Sequence, residues 1–462
     1  MPAILPIDRP RLARELGATI ALAAPLVLGQ LSAIGMNVID TMLAGHLDGH
    51  TLAAVAVGAN VWVLAIVLII GVMMALQPSV AQLHGGGRDD AIAPLFRQAL
   101  WLAVPLGTGL GLATALAGPL LFGLLAVDPT LVADATRFLQ AISFGAPALS
   151  LFFALRGLSE GLGMTRPTMW FSLLGLVLLG PIGYLLMYGA AGVPRLGAFG
   201  CGLATAIVLW LQALAFATYT ACNARYRRLG LLARLDRPDR RVLADLLHLG
   251  VPMAITLFME ASLFVAAALL IGSLGTAVVA SHQIAINVVS VTFMVPLGIA
   301  MATTVRVGHA VGRGDACGVR SAGSTGLLLT FGVQLVSAGI LFFLANGIAS
   351  LYTHDVAVAA FAAELIVLAA LFQLSDGIQA VGNGALRGLK DTRVPMLITA
   401  FAYWAVGMPV GWWLAFADGH GARGMWYGLI AGLSVAAILL PLRFRRLAGS
   451  ARTTAAGPPG LP

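Results

Sequence analysis

Apolar runs of about 18 to 25 residues, each long enough to cross ~30 Å of hydrocarbon as a helix, recur along the whole chain and are parted by short polar breaks. They fall near residues 18–39, 52–77, 98–125, 136–156, 168–189, 197–220, 244–271, 278–305, 322–345, 362–386, 395–417 and 424–442. A transmembrane barrel would show short alternating segments instead. The pattern therefore predicts an all-α integral membrane protein of twelve transmembrane helices.

The chain also repeats itself. Shifted by 227 residues, Pro25 meets Pro252, Asn60 meets Asn287, Gly71 meets Gly298 and Asp128 meets Asp355. Gly157 and Gly161 likewise meet Gly384 and Gly388, and Thr165-Arg166 meets Thr392-Arg393. Six spans per half is an even number, so both halves enter the membrane in the same direction, as two six-helix bundles related by a pseudo-two-fold axis along the membrane normal. The expected division is an N-terminal bundle over 1–222, a basic linker over 223–243, a C-terminal bundle over 244–446 and a flexible tail over 447–462. Paired bundles around a midplane cleft are the architecture of alternating-access transport.

Composition agrees, with 59% hydrophobic and only 10% charged residues in 462. A soluble domain carries about 25% charged residues. The net charge of +8 does not point to nucleic acid, because the arginines sit in short loops rather than among aromatics on a soluble face. With the N-terminus inside, all basic residues except Arg137, Arg195 and Arg423 fall on the cytoplasmic side. That split predicts a multi-pass protein of a bacterial inner membrane with both termini cytoplasmic. The first apolar run is too long for a signal-peptide core and is retained as a span. Cys201, Cys222 and Cys317 form no CxxC pair and suggest neither disulfides nor a thiolate metal site.

An ionisable group inside hydrocarbon costs several kcal/mol unless it is paired, neutralised or facing water, so each one needs a reason. Glu260 lies in the middle of the seventh span, Asp376 near the middle of the tenth, and Asp40 at the end of the first. Across the repeat these acids align with Ala33, Leu149 and Ala267, so the scaffold is duplicated and the acids are not. Such acids can be neutralised by H+, by Na+ or by an organic cation, and mutual exclusion of those ligands is the physical content of antiport. No GxxxxGK[ST] loop is present, which leaves an ion gradient as the energy source. His282, Gln283 and Asn287 could line an outer cleft or cap the eighth helix. His46, Asp48 and His50 have a spacing that could ligate metal, although loop histidines beside glycine are more often solvated. No catalytic nucleophile with a base is visible in the spans, so an enzyme is not expected, nor is any cofactor beyond Na+ or H+ as coupling ion.

Several stretches together resemble the multidrug and toxic compound extrusion family in its NorM-like branch. They are Val38-Ile39-Asp40-Thr41-Met42-Leu43-Ala44-Gly45, Ser281-His282-Gln283-Ile284-Ala285-Ile286-Asn287, Arg306-Val307-Gly308, Asp376-Gly377-Ile378-Gln379 continuing to Leu386-Arg387-Gly388, and Tyr403-Trp404-Ala405-Val406-Gly407-Met408-Pro409. The resemblance implies export of cationic, often aromatic compounds in exchange for Na+ or H+. It implies a coupling-ion region at Glu260 and Asp376, where Na+ could bind, a further site at Asp40, and Gln379 and Tyr403 as residues near the cleft. Many relatives carry two asparagines around the fifth-span proline, but this chain reads Leu179-Gly180-Pro181-Ile182-Gly183-Tyr184, which shifts the weight to the C-bundle acids. The expected partners are small organic cations and membrane lipid, and a monomer is expected. A lipid-linked precursor flippase of similar architecture, which would favour basic residues in the cleft, and a passive channel are the alternatives.

Overall fold

A computed structural model describes residues 9–124, 128–189, 192, 194–231, 233–234 and 236–454. The chain begins with α1 (Arg9–Leu47), α2 (Gly49–Met73) and α3 (Leu76–Gly85), followed by α4 (Ile92–Leu124), α5 (Pro129–Ser143) and α6 (Ala146–Gly161). Next come α7 (Thr165–Tyr188), α8 (Gly197–Cys222), the single turn α9 (Ala224–Arg227) and α10 (Arg240–Gly272). The second half continues with α11 (Thr276–Gly312), α12 (Ala316–Tyr352) and α13 (Val356–Gly388). It closes with α14 (Arg393–Ala400), α15 (Met408–Trp412) between two π-helical stretches, and α16 (Gly421–Thr454).

Among the described residues eleven helical segments are long and apolar enough to span a bilayer, and α5 with α6, bent by 42°, makes twelve when taken as one span. The fourth span is therefore not the single run expected over 136–156. It breaks at Phe144-Gly145, where a Cβ on Gly145 would stand 3.0 Å from the Cα of Ala206 on α8, and Pro147 then starts the new helix. Aspartates fix several helix starts. The backbone N–H of Thr51 donates to Asp48 (2.6 Å), that of Thr130 to Asp128 (2.9 Å) and that of Ala357 to Asp355 (2.9 Å). These bonds hold the carboxyls of Asp48 and Asp128, both outside the spans, below the ordinary aspartate range. At the other end of the chain α16 carries the helix past the expected tail boundary. Ala448 is buried there, and its carbonyl accepts a bond from Arg320 Nε at 3.0 Å. The remaining tail residues, with the Gly-Pro-Pro-Gly stretch, lie outside the described residues.

Two compact units emerge, Leu28–Ile255 and a second that joins Met1–Val27 to Thr256–Pro462. Each divides a helix a few residues after a proline, α1 after Pro25 and α10 after Pro252, which are repeat-equivalent positions. Close backbone packing explains the division. A Cβ on Gly71 of α2 would come within 2.2 Å of Ala254 Cα, and one on Gly298 of α11 within 3.0 Å of Val27 N. Ala254 and Val27 are themselves 227 apart, so the first helix of each half gives its initial stretch to the unit built around the other half. In the second unit this stretch is pinned by Arg306, whose guanidinium donates to the Thr19 hydroxyl (2.6 Å) and pairs with Glu15.

One close contact recurs in both units at repeat-equivalent positions. Gly161 packs on Val80 and the carbonyl of Gln77, and its equivalent Gly388 packs on Val307 and the carbonyl of Thr304. The nearest approach of an added Cβ to those carbonyls would be 2.8 Å in both cases. Because lipid is as apolar as a leucine side chain, tight backbone approach at small residues, rather than exclusion of water, holds such helices together. Larger side chains then fill the space around these contacts, with Trp62, Phe96, Phe138 and Phe216 in one unit and Phe372, Tyr403 and Trp426 in the other.

Gly71→Ala should cost about 1–3 kcal/mol by overpacking against Ala254 and lower the thermal midpoint of the purified protein. Gly109→Ala, with nothing within 4 Å of the added methyl, should leave it unchanged. Equal midpoints for the two variants would contradict the packing account.

Candidate functional site

In the unit containing Thr256–Pro462, α13 carries the buried polar residues Gln373, Asp376, Gln379 and Asn383. Asp376 is 3% exposed, and its Oδ1 atom is buried without a hydrogen-bond partner. Glu260, on the part of α10 that belongs to this unit, is half-buried and stands close enough to Asp376 for the two carboxyls to interact electrostatically. Tyr403 neighbours both acids. Its hydroxyl accepts from the Gln379 side chain, one helical turn beyond Asp376 on α13. Tyr403 lies in the π-helical stretch Phe401–Gly407, where Gly407 packs against Gly428 and Gly432 of α16. Such irregular turns are frequent at functional sites because they re-aim side chains.

Arg387 changes the charge balance. Sequence placed it in a cytoplasmic turn, but α13 extends to Gly388, and the half-buried Arg387 interacts electrostatically with Glu260. Arg387 therefore offsets Glu260, while Asp376 has Glu260 as its charged neighbour. Behind Asp376, Gln334 Nε2 donates to the Gln373 carbonyl at 2.7 Å and the Ser337 hydroxyl to Gln373 Oε1 at 3.1 Å. Gln334 Oε1, Gln373 Nε2 and Thr330 Oγ1 remain buried without partners. The site thus retains unmet polar capacity on both carboxyl and amide groups, at a depth where each unsatisfied atom costs about 1–3 kcal/mol.

The other expected residues separate. His282 is 2% exposed in the core, with its Nδ1 accepting from Trp426 Nε1 at 3.2 Å. Gln283 and Asn287 lie on the exposed side of α11, forming one polar stripe with Ser290 at helical spacing. Asp40 stands in the other unit, where the hydroxyl of Thr205 donates to its Oδ2 at 3.0 Å and Oδ1 is buried unpartnered. Its neighbours therefore come from α8, Thr205 and Cys201, rather than from fifth-span amides. On α7 the rings of Tyr184 and Tyr188 stack at 4.8 Å, and the Tyr188 hydroxyl donates to the Leu43 carbonyl at 2.9 Å. His46, Asp48 and His50 do not converge. His46 bonds the carbonyl of Met42 (2.8 Å), Asp48 caps α2 and pairs with Arg195, and His50 meets Asp134 (3.2 Å). No cluster of three metal-ligating side chains occurs among the described residues.

One buried group was missed from sequence. Glu160 (1% exposed) accepts from Arg156 Nε at 2.6 Å and from Gln77 Nε2 at 2.8 Å, and Arg156 Nη2 donates to Gln30 at 2.9 Å. Both ions belong to α6, which runs five residues past the expected span end at 156. The i,i+4 spacing of arginine and glutamate beside Gly157 and Gly161 was the available signal. Fully paired and hydrogen-bonded, this group holds α1, α3 and α6 together and offers no free charge.

Comparison with known proteins follows the same outline. The MatE family model matches the chain twice, at residues 25–185 and 252–413, reproducing the internal repeat. A probable multidrug resistance protein NorM of Xanthomonas campestris pv. campestris is 48% identical over 460 residues, covering 99% of this chain and 100% of that protein. Multidrug resistance protein PmpM of Pseudomonas aeruginosa is 42% identical over 449 residues, covering 96% and 94%. Among solved structures, an outward-facing multidrug resistance MATE family transporter of the MOP superfamily superposes with a TM-score of 0.87 at 20% identity, covering 95% of this chain and 97% of that one. The eukaryotic MATE transporter AtDTX14 gives 0.85 at 19% identity, covering 96% and 99%. At these identities the structural likeness speaks for the fold alone.

Removing one partner of the Arg156–Glu160 pair strands the other as a buried charge. Glu160→Ala should therefore cost about 3–5 kcal/mol, and the double variant Arg156→Met with Glu160→Leu less than the single one. Thermal unfolding of the purified variants tests this, and a double variant weaker than the single would contradict it.

Proposed function

Since the chain belongs to the MatE family, the multidrug and toxic compound extrusion transporters, we propose that it is a secondary multidrug antiporter that exports cationic, often aromatic compounds by alternating access in exchange for Na+ or H+. The observation that carries this reading is the pair Glu260 and Asp376, two neighbouring carboxyls deep in a spanning bundle, with Arg387 as the cationic neighbour of Glu260 and an unpartnered oxygen on Asp376. A site short of one positive charge binds a proton, Na+ or an organic cation, but not two of them with comparable affinity, because the second would leave excess charge in a low-dielectric interior. Competition for that one charge couples the fluxes. Tyr403, fixed by Gln379, supplies an aromatic face and a hydroxyl beside the acids, which suits organic cations. The exposed stripe Gln283–Asn287–Ser290 suits a water-reachable path better than lipid. Asp40 with Thr205 is the site proposed for the other unit.

In this reading the protein lies in a bacterial inner membrane with both termini cytoplasmic, since that orientation keeps nearly all arginines on the retained side. It acts as a monomer and catalyses no covalent chemistry. A flippase for pyrophosphate-linked lipids would need free basic residues beside its cargo. Here Arg156 is consumed by Glu160 and Arg387 is set against Glu260. A passive channel would have no use for a charge deficit that captures its ion.

Efflux of a cationic dye from proteoliposomes, driven separately by Na+ and pH gradients, tests the proposal. Glu260→Gln and Asp376→Asn should each reduce gradient-driven efflux to the level of protein-free liposomes while the purified protein keeps its elution profile. Full efflux in either variant removes that residue from the mechanism. Dye movement that is indifferent to both gradients in the wild type would favour a channel.

A further inference from the structure

Side chains of the first half bind the described residues of the connector between the halves. Asn223 caps the turn α9 by accepting from Arg225 N at 3.0 Å, and the buried Tyr226 donates its hydroxyl to Ser159 at 2.8 Å. Three consecutive-turn residues of α4 then bind its backbone. Arg97 pairs with Asp236 at 2.6 Å and donates to the carbonyls of Gly230 (3.2 Å) and Leu231 (3.3 Å). Gln98 donates to the Arg237 carbonyl and accepts from Asp239 N, both at 2.8 Å, and the Trp101 indole donates to the Asp236 carbonyl at 2.9 Å. The connector is thus a strap fixed to α4 through five side-chain bonds to its main chain.

This strap presents seven arginines between Arg225 and Arg241, all exposed. Among the described residues none of the seven takes part in an ion pair closer than the 4 Å expected of one, and its two acids are already engaged, Asp236 by Arg97 and Asp239 by the backbone of Arg241. Orientation alone needs charge near the span ends but not a fixed backbone. The position of Trp101 identifies the medium these charges meet. It is 45% exposed and heads an apolar face of α4 that continues through Val104 (46%), Leu112 (58%) and Leu116 (73%), a surface suited only to acyl chains. Its indole nitrogen, turned to the strap, marks the level at which hydrocarbon gives way to headgroups.

We propose that the strap is a binding site for an anionic phospholipid, with the headgroup phosphate held by Arg234, Arg237, Arg240 and Arg241 and the acyl chains lying along Trp101 and Val104. Arginine suits this task, because its planar fork binds phosphate oxygens in pairs. The ligand is a lipid rather than a free phosphate because half of the site is apolar.

Native mass spectrometry of the full chain, released from detergent mixed with phosphatidylglycerol and phosphatidylcholine, measures the preference directly. The wild type should retain phosphatidylglycerol selectively, and replacing the four arginines by glutamine should lower that retention about tenfold. The same number of replacements at Arg88, Arg166, Arg445 and Arg446, also exposed, should leave it within about twofold, as expected of charges outside the site. Trp101→Phe keeps every arginine but removes the bond to Asp236, so it should lower retention about two- to threefold. Equal losses in the two arginine sets, unchanged retention in Trp101→Phe, or displacement of the lipid by millimolar inorganic phosphate would each overturn the proposal.

Discussion

Uncompensated charge in a medium that cannot solvate it is the constraint on which the rest of this structure depends. Withdrawing a carboxylate from water costs several kcal/mol even after relaxation. The protein meets that cost in two ways. Glu160 is satisfied completely by Arg156 and Gln77 and becomes part of the frame. Glu260 and Asp376 are satisfied incompletely, with Arg387 near one and an unpartnered oxygen on the other. The same chemistry therefore acts as a rivet in one unit and leaves a carboxyl oxygen unpartnered in the other.

The packing around these groups serves the difference. Tyr403 is presented by an irregular stretch of helix that packs on α16 through glycines, and Gln379 fixes its hydroxyl. Phe264, Phe372 and Trp426 form a chain of edge-to-face contacts in the same unit, which gives the polar cluster a rigid apolar wall. Glu260 itself sits just beyond the point where α10 passes from one unit to the other, four residues after Thr256, and the equivalent point on α1 follows Pro25. The helix that carries a charge-bearing residue is thus also one of the covalent links between units.

Much of this was legible in the sequence because hydrocarbon length and charge rarity are strong signals. Twelve spans, the 227-residue repeat and the placement of Glu260 and Asp376 all follow from them. What failed was partnership. Arg387 looked like a loop residue because apolar periodicity fades before a helix ends, so its facing of Glu260 could not be read. Glu160 was passed over for the same reason, since α6 outlasts its apolar run. The break at Phe144-Gly145 arises from close approach to α8, a tertiary contact that no local pattern records. His282 showed its type but not its direction, and only the contact with Trp426 places it in the core. The exchange of initial stretches between halves was hidden too, because a repeat reveals which segments correspond and not which ones touch.

The central claim is that one charge is missing at Glu260 and Asp376 and that different cations take turns in supplying it. Calorimetric titration of an organic cation into the purified protein, repeated in buffers of different ionisation enthalpy and with Na+ present or absent, counts what leaves as the cation enters. The account predicts about one proton released per cation bound, or the loss of one Na+ seen as weakened binding when Na+ is raised. Binding that releases no proton and is indifferent to Na+ would contradict it.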